Sequence, residues 1–308
     1  MDQFRIFRDE DVAALVDMRN AIEVMKEAIV SRKNGDMISP PRESFVAGST
    51  AMVWTPGAHR GLKAIGLRLY LTGVPEKDQI VALWDSGRGH LKAIAVGEYL
   101  GRLRTGAIGG AAIDLMSRKD SRILGIIGFG EQAWMQARAA LAIRNIDEIR
   151  VYRRNRELLL LLSERASREF GVTVRAMDDP RSCVTGSDII VTATNSSAPV
   201  IRGEWLSPGA HINSLGPKLK GRSELGREIL DFCTIVASDF PDLLARDSSF
   251  VFRDHPRIVK MRDLALLIEE GKMRKREEIS LFLSHGLSGT EISLLDYMCR
   301  KAEGTGRE

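Results

Sequence analysis

Two glycines and an alanine stand at a spacing that could hold a dinucleotide. They occur in Gly128-Phe-Gly130-Glu-Gln-Ala133, which reads G-x-G-x-x-A. In this motif the first glycine permits a tight turn, the second lets the backbone approach a pyrophosphate, and the small third residue lets a helix pack closely on a strand. Glu131 and Gln132 would begin that helix, whose free N–H groups and dipole attract phosphate. The motif predicts a nucleotide site, with an ordinary strand-to-helix turn as the alternative.

The flanking segments supply the elements that such a site needs. Ile123–Ile127 is a short apolar run with the length of a buried parallel strand, and the residues from Glu131 onward favour a helix. After about one helix length, Glu148–Tyr152 predicts a second strand. A strand, a glycine turn, a helix and a second strand in this order favour nucleotide binding over an ordinary turn.

The end of the second strand bears on which nucleotide binds. An NAD-preferring site places an acidic residue there, where it accepts hydrogen bonds from the ribose hydroxyls. Here the strand ends in Tyr152-Arg153-Arg154-Asn155, without a carboxylate. Arginine pairs well with a phosphate dianion. The sequence therefore favours NADP(H) over NAD(H), with a solvated basic loop as the alternative.

The rest of the chain predicts two kinds of architecture. Downstream, a helix is expected over 155–170 and strands over 172–175, 187–194, 209–216, 233–238 and 278–283. This alternation predicts an α/β fold with one doubly wound parallel sheet of the Rossmann type. Upstream, we expect a separate α+β layer with helices over 11–33 and 98–118 and strands over 51–54, 62–70, 80–84 and 91–96.

Two helices carry further signals. The segment 98–118 contains Gly106, Gly109 and Gly110, and glycine within a helix costs about 1 kcal/mol relative to alanine. Such glycines indicate the close approach of a backbone or ligand, or tight helix packing. Near the end, Ser288-Gly-Thr-Glu291 has the spacing of a capping box and predicts the start of a last helix.

The composition of the 308 residues narrows the class of protein. No apolar run has the length of a membrane span, and the start lacks the apolar core of a signal peptide, so the cytoplasm is the default location. Cys183, Cys233 and Cys299 have no metal-binding spacing and are interpreted as reduced structural thiols. The net charge of +4 fits anionic small molecules and indicates neither nucleic-acid nor membrane binding. No metal site is predicted.

Five segments together resemble the ornithine cyclodeaminase/mu-crystallin family. They are Arg104-Thr-Gly-Ala, Gly128-Phe-Gly-Glu-Gln-Ala, Thr192-Ala-Thr, Gly203-Glu-Trp-Leu-Ser-Pro-Gly-Ala-His-Ile-Asn213 and Ser284-His-Gly. The resemblance implies a Rossmann domain, 118–284, inserted into a substrate-binding and dimerisation domain formed by 1–117 and 285–308. It also implies a homodimer. Members of the family include amino-acid cyclodeaminases, alanine dehydrogenases, ketimine reductases and a crystallin that binds NADPH and thyroid hormone.

The resemblance also implies roles for individual residues. Arg42, Lys63 and Arg104 match substrate-contacting positions, where arginine can bind a carboxylate with two parallel hydrogen bonds. A lysine near two arginines loses its proton more easily, which suits it to exchange protons with an amine or imine. The cofactor-contacting positions are Gln132, Thr194, Leu215, Gly216 and Ser284, in addition to Gly128, Gly130, Glu131, Arg153, Arg154 and Asn155. His211 and His285 have no role in the family pattern, and we interpret them as structural.

One departure from the family pattern affects the expected reaction. The cyclodeaminases carry an aspartate that binds the substrate's amine, and Lys218 stands where it would be. A cation there would repel a substrate ammonium. We therefore expect an NAD(P)H-dependent oxidoreductase that reduces a small α-imino acid (a ketimine) or oxidatively deaminates the matching amino acid. The alternatives are a cyclodeaminase that converts ornithine to proline plus ammonia, and a non-catalytic protein that binds NADPH or another ligand.

Overall fold

The computed structural model describes residues 4–75, 78–271 and 275–304. Seven strands of these ranges precede the helix α3, Tyr99–Met116: β1 Arg5–Phe7, β2 Met37–Ile38, β3 Glu43–Ala47, β4 Thr50–His59, β5 Ala64–Thr72, β6 Gln79–Asp85 and β7 Leu91–Val96. The strands after α3 are β8 Ile123–Ile127, which leads into the glycine motif, β9 Glu148–Tyr152, β10 Thr173–Ala176, β11 Ile189–Thr192, β12 His211–Ser214, β13 Lys218–Leu219, β14 Arg222–Ser223, β15 Ile235–Ser238, β16 Arg262–Asp263 and β17 Ser280–Leu283.

The same ranges contain α-helices between or after some of these strands. They are α1 Asp9–Leu15, α2 Met18–Lys33, α3 Tyr99–Met116, α4 Glu131–Ile143, α5 Arg156–Phe170, α6 Pro180–Val184, α7 Ile229–Phe232, α8 Pro241–Arg246, α9 Pro256–Val259, α10 Leu264–Glu270 and α11 Thr290–Ala302. None of those within the described ranges is long and apolar enough to cross a membrane. The cytoplasmic location stays a prediction.

The chain divides into two compact units. The first unit runs up to Ala107 and resumes at Leu287, and the second is Ile108–Gly286. The first boundary falls inside α3. The roles predicted for the domains 1–117 with 285–308 and 118–284 stay predictions.

The first unit is built on a mixed sheet. Its strands follow the order β1-β7-β6-β5-β4-β2, with β3 paired to β4, and all pairs but β1–β7 are antiparallel. Helix α11 contacts β4 to β7 as well as α2, so the last helix packs within this unit. The single helix expected over 11–33 is instead two helices. The break lies at Asp17, whose side chain accepts a hydrogen bond from the Asn20 backbone N–H at 2.8 Å and caps α2.

The capping box predicted at the start of α11 is wrong. The helix begins after Gly289, which has a φ of +85° and provides no side-chain cap. A Cβ on Gly57 would lie 2.4 Å from the Gly289 Cα, so two backbones meet there at a distance that only glycine permits. Glu291 is free for another partner, because Ser288 does not cap the helix.

The second unit contains the predicted doubly wound sheet. Eight strands of the described residues are parallel, in the order β10-β9-β8-β11-β12-β17-β15-β16, which confirms the predicted fold class. Successive side chains of β11 enter different cores: Ile189 and Val191 pack in one and Ile190 packs in the other. Because such strands are buried on both faces, their sequences are continuous apolar runs rather than alternating patterns.

Gly109 of α3 permits tight packing inside the second unit. A Cβ on Gly109 would lie 2.1 Å from Oε1 of Gln136 in α4. Asn213 Nδ2 donates to the Gly109 carbonyl at 2.9 Å and to Gln136 Oε1 at 3.2 Å. The side chains of Gln136 and Asn213 therefore explain why a glycine is needed at position 109. They favour tight helix packing over contact with a ligand as its role.

Candidate functional site

A cleft of about 1150 Å³ opens at the carboxyl edge of the parallel sheet. It lies where β8 and β11 are neighbours and the strand order reverses, the place where doubly wound sheets bind ligands. Six of the predicted cofactor residues line it: Gly128, Gly130, Arg153, Arg154, Asn155 and Thr194. The structure thus brings the glycine motif and the two arginines to one cleft.

The three small residues of the motif occupy the positions that a dinucleotide requires. Gly128 has a φ of +85°, and a Cβ there would lie 2.4 Å from the Ala193 carbonyl oxygen. Gly130 caps α4, and a Cβ there would meet no atom within 4 Å. Ala133 is fully buried between α4 and the sheet. The open space at Gly130 faces the N-terminus of α4, where backbone N–H groups bind anions.

The start of α4 has an unsatisfied polar atom. Oε1 of Gln132 is buried and has no hydrogen-bond partner within the described part of the chain. Such groups are uncommon in folded proteins, and a bound ligand is one way to satisfy them. Together with the open space at Gly130, this orphaned acceptor fits the binding of a dinucleotide. Glu131, in the same turn, is exposed.

The end of β9 presents cations to the cleft. Arg153 is partly buried and Arg154 is exposed, and neither makes an ion pair with a carboxylate of the described residues. Asn155 also lines the cleft, but its Oδ1 accepts a hydrogen bond from the Leu158 N–H at 2.9 Å and caps α5. Two guanidinium groups are therefore available to a phosphate at this end of the cleft.

A buried carboxylate that sequence analysis missed joins two of the strand ends. Oε1 of Glu224 accepts hydrogen bonds from Thr192 Oγ1 at 2.7 Å, Ser214 Oγ at 2.9 Å and the Gly216 N–H at 2.7 Å. Its Oε2 accepts from the Thr194 N–H at 3.0 Å and from Thr194 Oγ1 at 2.9 Å. Nothing in the sequence around Glu224 singles it out, because its partners belong to two separate strands.

Lys218 is buried beside this carboxylate. Its ammonium donates to the Gly216 carbonyl at 2.8 Å and to the Ser284 carbonyl at 3.3 Å. Burial lowers the pKa of Lys218 to about 8, against the opposing charges of Glu224 and Asp239. The position therefore offers no carboxylate to a substrate ammonium, as the sequence indicated.

The remaining predicted cofactor positions lie at neighbouring strand ends of the second unit. Leu215 follows β12, packs on the core and donates its N–H to the Thr192 carbonyl at 2.9 Å. Ser284 follows β17 and donates its N–H to the Ser214 carbonyl at 3.0 Å. His211, also in β12, bridges Ser280 Oγ at 2.9 Å and Asn213 Oδ1 at 2.7 Å in the sheet interior, which supports the structural role predicted for it.

The first unit holds the three predicted substrate residues. Arg42 is exposed just before β3, and Lys63 is exposed in the turn between β4 and β5. Lys63 has a φ of +50° and is the one non-glycine residue with a positive φ among those described. That conformation costs roughly 1–2 kcal/mol, and strain of this kind concentrates at functional sites.

Arg104 is held by a carboxylate from the last helix. Arg104 is 7% exposed, and its Nε donates to Oε1 of Glu291 at 2.8 Å. Arg68 donates to the same oxygen at 3.2 Å and to Gln79 Oε1 at 2.9 Å. The two arginines hold the pKa of Glu291 below its usual range despite its burial. Glu291 binds the Nε edge of Arg104, which leaves the outer guanidinium edge able to pair with a carboxylate.

Comparison with known proteins agrees with this geometry. A Delta(1)-pyrroline-2-carboxylate reductase of Bacillus cereus is 29% identical over 314 residues, covering 96% of this chain and 96% of its own length. An alanine dehydrogenase of Archaeoglobus fulgidus is 31% identical over 304 residues, covering 94% and 92%. The structure of Thermococcus litoralis Delta(1)-pyrroline-2-carboxylate reductase in complex with NADH and L-proline is 25% identical, with a TM-score of 0.85 over 99% of this chain and 100% of that one.

The family expected from the sequence is confirmed across nearly the whole chain. The model of the ornithine cyclodeaminase/mu-crystallin family matches residues 5–306, which include both units and every residue predicted to contact substrate or cofactor. This protein belongs to the ornithine cyclodeaminase/mu-crystallin family.

Proposed function

We propose that this protein is an NAD(P)H-dependent oxidoreductase that interconverts a small α-imino acid and the matching amino acid. The observation that carries the proposal is the cleft at the reversal of the sheet, which Gly130 lines with open space above its Cα. The unsatisfied Gln132 Oε1, two residues further along the chain, adds to it. The relatives named as a pyrroline-carboxylate reductase and an alanine dehydrogenase support the substrate class, since both names denote chemistry between an amine and an imine.

The proposed cofactor is NADP(H) in preference to NAD(H). Arg153 and Arg154 line the cleft without carboxylate partners among the described residues, and the end of β9 carries no acid. A phosphate on the ribose would gain charge-assisted hydrogen bonds from such guanidinium groups. The relative from Thermococcus litoralis binds NADH, so the preference rests on these arginines and not on the family.

Arg104, Arg42 and Lys63 would act on the substrate. When bound, the reduced nicotinamide supplies a hydride to the imine carbon. Arg104, oriented by Glu291, and Arg42 hold the carboxylate, and Lys63 gives a proton to the imine nitrogen. One hydride and one proton convert the C=N bond into an amine, and the reverse transfers oxidise the amino acid.

The protein is proposed to act as a homodimer through one face of the first unit's sheet. Ile65, Leu67 and Leu69 point to one side of β5, while Arg68 points to the other and reaches Glu291 of α11. Helix α11 therefore covers the second face, and the first face carries exposed apolar side chains, among them Ile6, Phe45 and Ile65. An apolar face of this kind is typical of an interface between protein chains.

An enzyme assay tests the proposed reaction. Purified protein is mixed with NADPH and a panel of cyclic and linear α-imino acids, and the loss of the reduced nicotinamide is followed, with NADH in parallel. We expect turnover of at least one imino acid. Lys63→Ala should lower kcat by roughly 10²–10⁴-fold, the usual worth of general acid catalysis, with NADPH binding unchanged.

Two other results would contradict the proposal. Ammonia release from ornithine without net change in the cofactor would indicate a cyclodeaminase. Tight NADPH binding without turnover of any member of the panel would indicate a non-catalytic binding protein. If Lys63→Ala weakened NADPH binding in parallel with turnover, the proton-transfer role of Lys63 would be wrong.

A further inference from the structure

Three buried charges lie along the carboxyl edge of the parallel sheet. Glu224 and Asp239 are fully buried, and Lys218 is 6% exposed. They contact the segments that follow β11, β12 and β17, which are neighbours in the sheet, and Asp239 itself follows β15, the next strand. These charges, which we call the charge belt, touch every strand end from β11 to β15.

The charge belt holds the peptide groups of Gly216 from both sides. The Gly216 N–H donates to Glu224 at 2.7 Å, and the Gly216 carbonyl accepts from the Lys218 ammonium at 2.8 Å. A Cβ on residue 216 would lie 2.2 Å from Oε2 of Glu224. The closeness of this carboxylate therefore requires glycine at position 216.

The segment after β17 is held in the same manner. Lys218 donates to the Ser284 carbonyl at 3.3 Å. The N–H groups of His285 and Gly286 donate to the two carboxylate oxygens of Asp239, each at 2.8 Å. Lys218 thus links the segment after β12 to the segment after β17, and Asp239 fixes the latter to β15.

Burial of these charges has a cost that an apolar core would avoid. A carboxylate without water is strongly destabilised unless hydrogen bonds and opposite charges compensate. Both oxygens of Glu224 accept a backbone N–H, which can only donate, so the hydrogen bonds match the ionised form. Fully satisfied buried networks hold a unique geometry, and this one holds the segments at the edge where the cleft opens.

We propose that Glu224 is a positioning residue for the bound dinucleotide, acting through Thr194 and Gly216, with Lys218 extending its effect to Ser284. The proposal rests on the proposed function, since Thr194, Gly216 and Ser284 are positions predicted to contact the cofactor. Thr194 lines the cleft, and both its N–H and its hydroxyl are bound to Glu224. Loss of the carboxylate would free this residue and the Gly216 peptide together.

The test compares two carboxylate-to-amide substitutions in the same sheet. Glu224→Gln keeps the size of the side chain but turns one acceptor oxygen into a donor. The matched control is Asp188→Asn at the amino edge of the sheet, where Oδ2 of Asp188 accepts from the Arg122 N–H at 2.7 Å and the Ile123 N–H at 2.9 Å. Each variant is measured for its Tm and, without substrate, for its Kd with NADPH by nicotinamide fluorescence.

The expected results separate positioning from simple loss of stability. Both substitutions should lower Tm, but Glu224→Gln alone should raise the Kd for NADPH, by about 10–100-fold, the worth of a hydrogen bond to a charged group. If Glu224→Gln does not fold, Lys218→Met is the deciding variant, with an expected rise in Kd of about tenfold.

Three outcomes would overturn the proposal. An unchanged Kd in folded Glu224→Gln, or in Lys218→Met where the first variant does not fold, would refute it while leaving the proposed function intact. An equal rise in Kd for Asp188→Asn would show that any loss of stability weakens binding. If the unsubstituted protein bound neither NADPH nor NADH, the proposed function would fail together with this inference.

Discussion

At the scale of single residues, a guanidinium in the first unit and hydroxyl and peptide groups in the second are held by carboxylates distant in the chain. Glu291 orients Arg104 from a sequence distance of 187 residues, and Glu224 reaches Thr192 across 32 residues. A guanidinium or a peptide group that is already bound on one side loses less conformational freedom when a ligand binds the other. The arrangement prepares these groups before the ligand arrives.

The low pKa of Lys218 predicts a specific pH dependence of stability. Burial lowers this pKa from 10.5 to about 8 in the folded protein, in spite of the facing carboxylates Glu224 and Asp239. Between these two values the unfolded chain binds more protons at Lys218 than the folded protein does, so this group's contribution to the free energy of unfolding rises with pH. Below about pH 8 the ammonium is protonated in both states, and its contribution is constant.

Urea unfolding of the wild type and of Lys218→Met measures this effect. Between about pH 8 and pH 10.5, the free energy of unfolding of the wild type should rise relative to that of Lys218→Met. The rise should be at most roughly 1.4 kcal/mol per pH unit. Other groups that titrate in this range are common to both proteins and cancel. A difference that stayed flat with pH would contradict the burial of a titrating ammonium at this position.

The residues that sequence analysis missed share one physical feature. Glu224 and Glu291 act through partners that the fold brings together, and no local pattern records such a pairing. Glu291 even stood at the right spacing for a capping box, but Gly289 precedes the helix as its N-cap, and the carboxylate pairs with Arg68 and Arg104. The glycine motif was visible because its three roles depend on neighbours in the sequence.

At the scale of elements, the segment after β9 determines the proposed cofactor preference. Strand β9 and helix α5 begin and end close to the predicted positions, because an alternating apolar pattern and the Asn155 cap are local signals. The split between α1 and α2 and the short strands β1 to β3 were not predicted. The split depends on the Asp17 cap, and the strands depend on their pairing: β1 with the distant β7, β2 with the far end of β4, and β3 with β4 in a hairpin.

Replacement of the two arginines tests that preference. The double substitution Arg153→Ala with Arg154→Ala should raise the Kd for NADPH by about 10–100-fold, the value of one charge-assisted hydrogen bond. The Kd for NADH should stay within a few-fold of the wild-type value. Arg156→Ala is the control, because Arg156 pairs with Asp178 at 2.9 Å and does not line the cleft. Equal losses for both nucleotides would show that these arginines do not read the ribose phosphate.

At the scale of the whole molecule, the fold class and the family could be predicted from the sequence. The interface of the proposed homodimer could not, because it is a surface built from several strands. The exposed face that carries Ile65 consists of side chains from strands far apart in the sequence, so its extent is visible only in the sheet. The homodimer itself was expected from the resemblance, and this face supplies its proposed interface.

A single charge should disrupt that interface. Ile65 is 47% exposed, and Ile65→Asp would place a carboxylate on the apolar face, where burial without a partner is strongly unfavourable. We expect light scattering to give twice the chain mass for the wild type and the chain mass for the variant. Val259→Asp, at an 82% exposed valine of the second unit, should stay dimeric. A monomeric wild type would refute the proposed assembly.

The most direct test of the central claim follows the hydride itself. An α-imino acid that the protein reduces would be incubated with NADPH that carries deuterium at the transferable position of the nicotinamide, and the amino acid product analysed by mass spectrometry and NMR. We predict one deuterium on the α-carbon of the product. In the time that the wild type needs for a few turnovers, Lys63→Ala should form almost no product. A product without deuterium, or deuterium at another carbon, would contradict direct hydride transfer to the C=N bond.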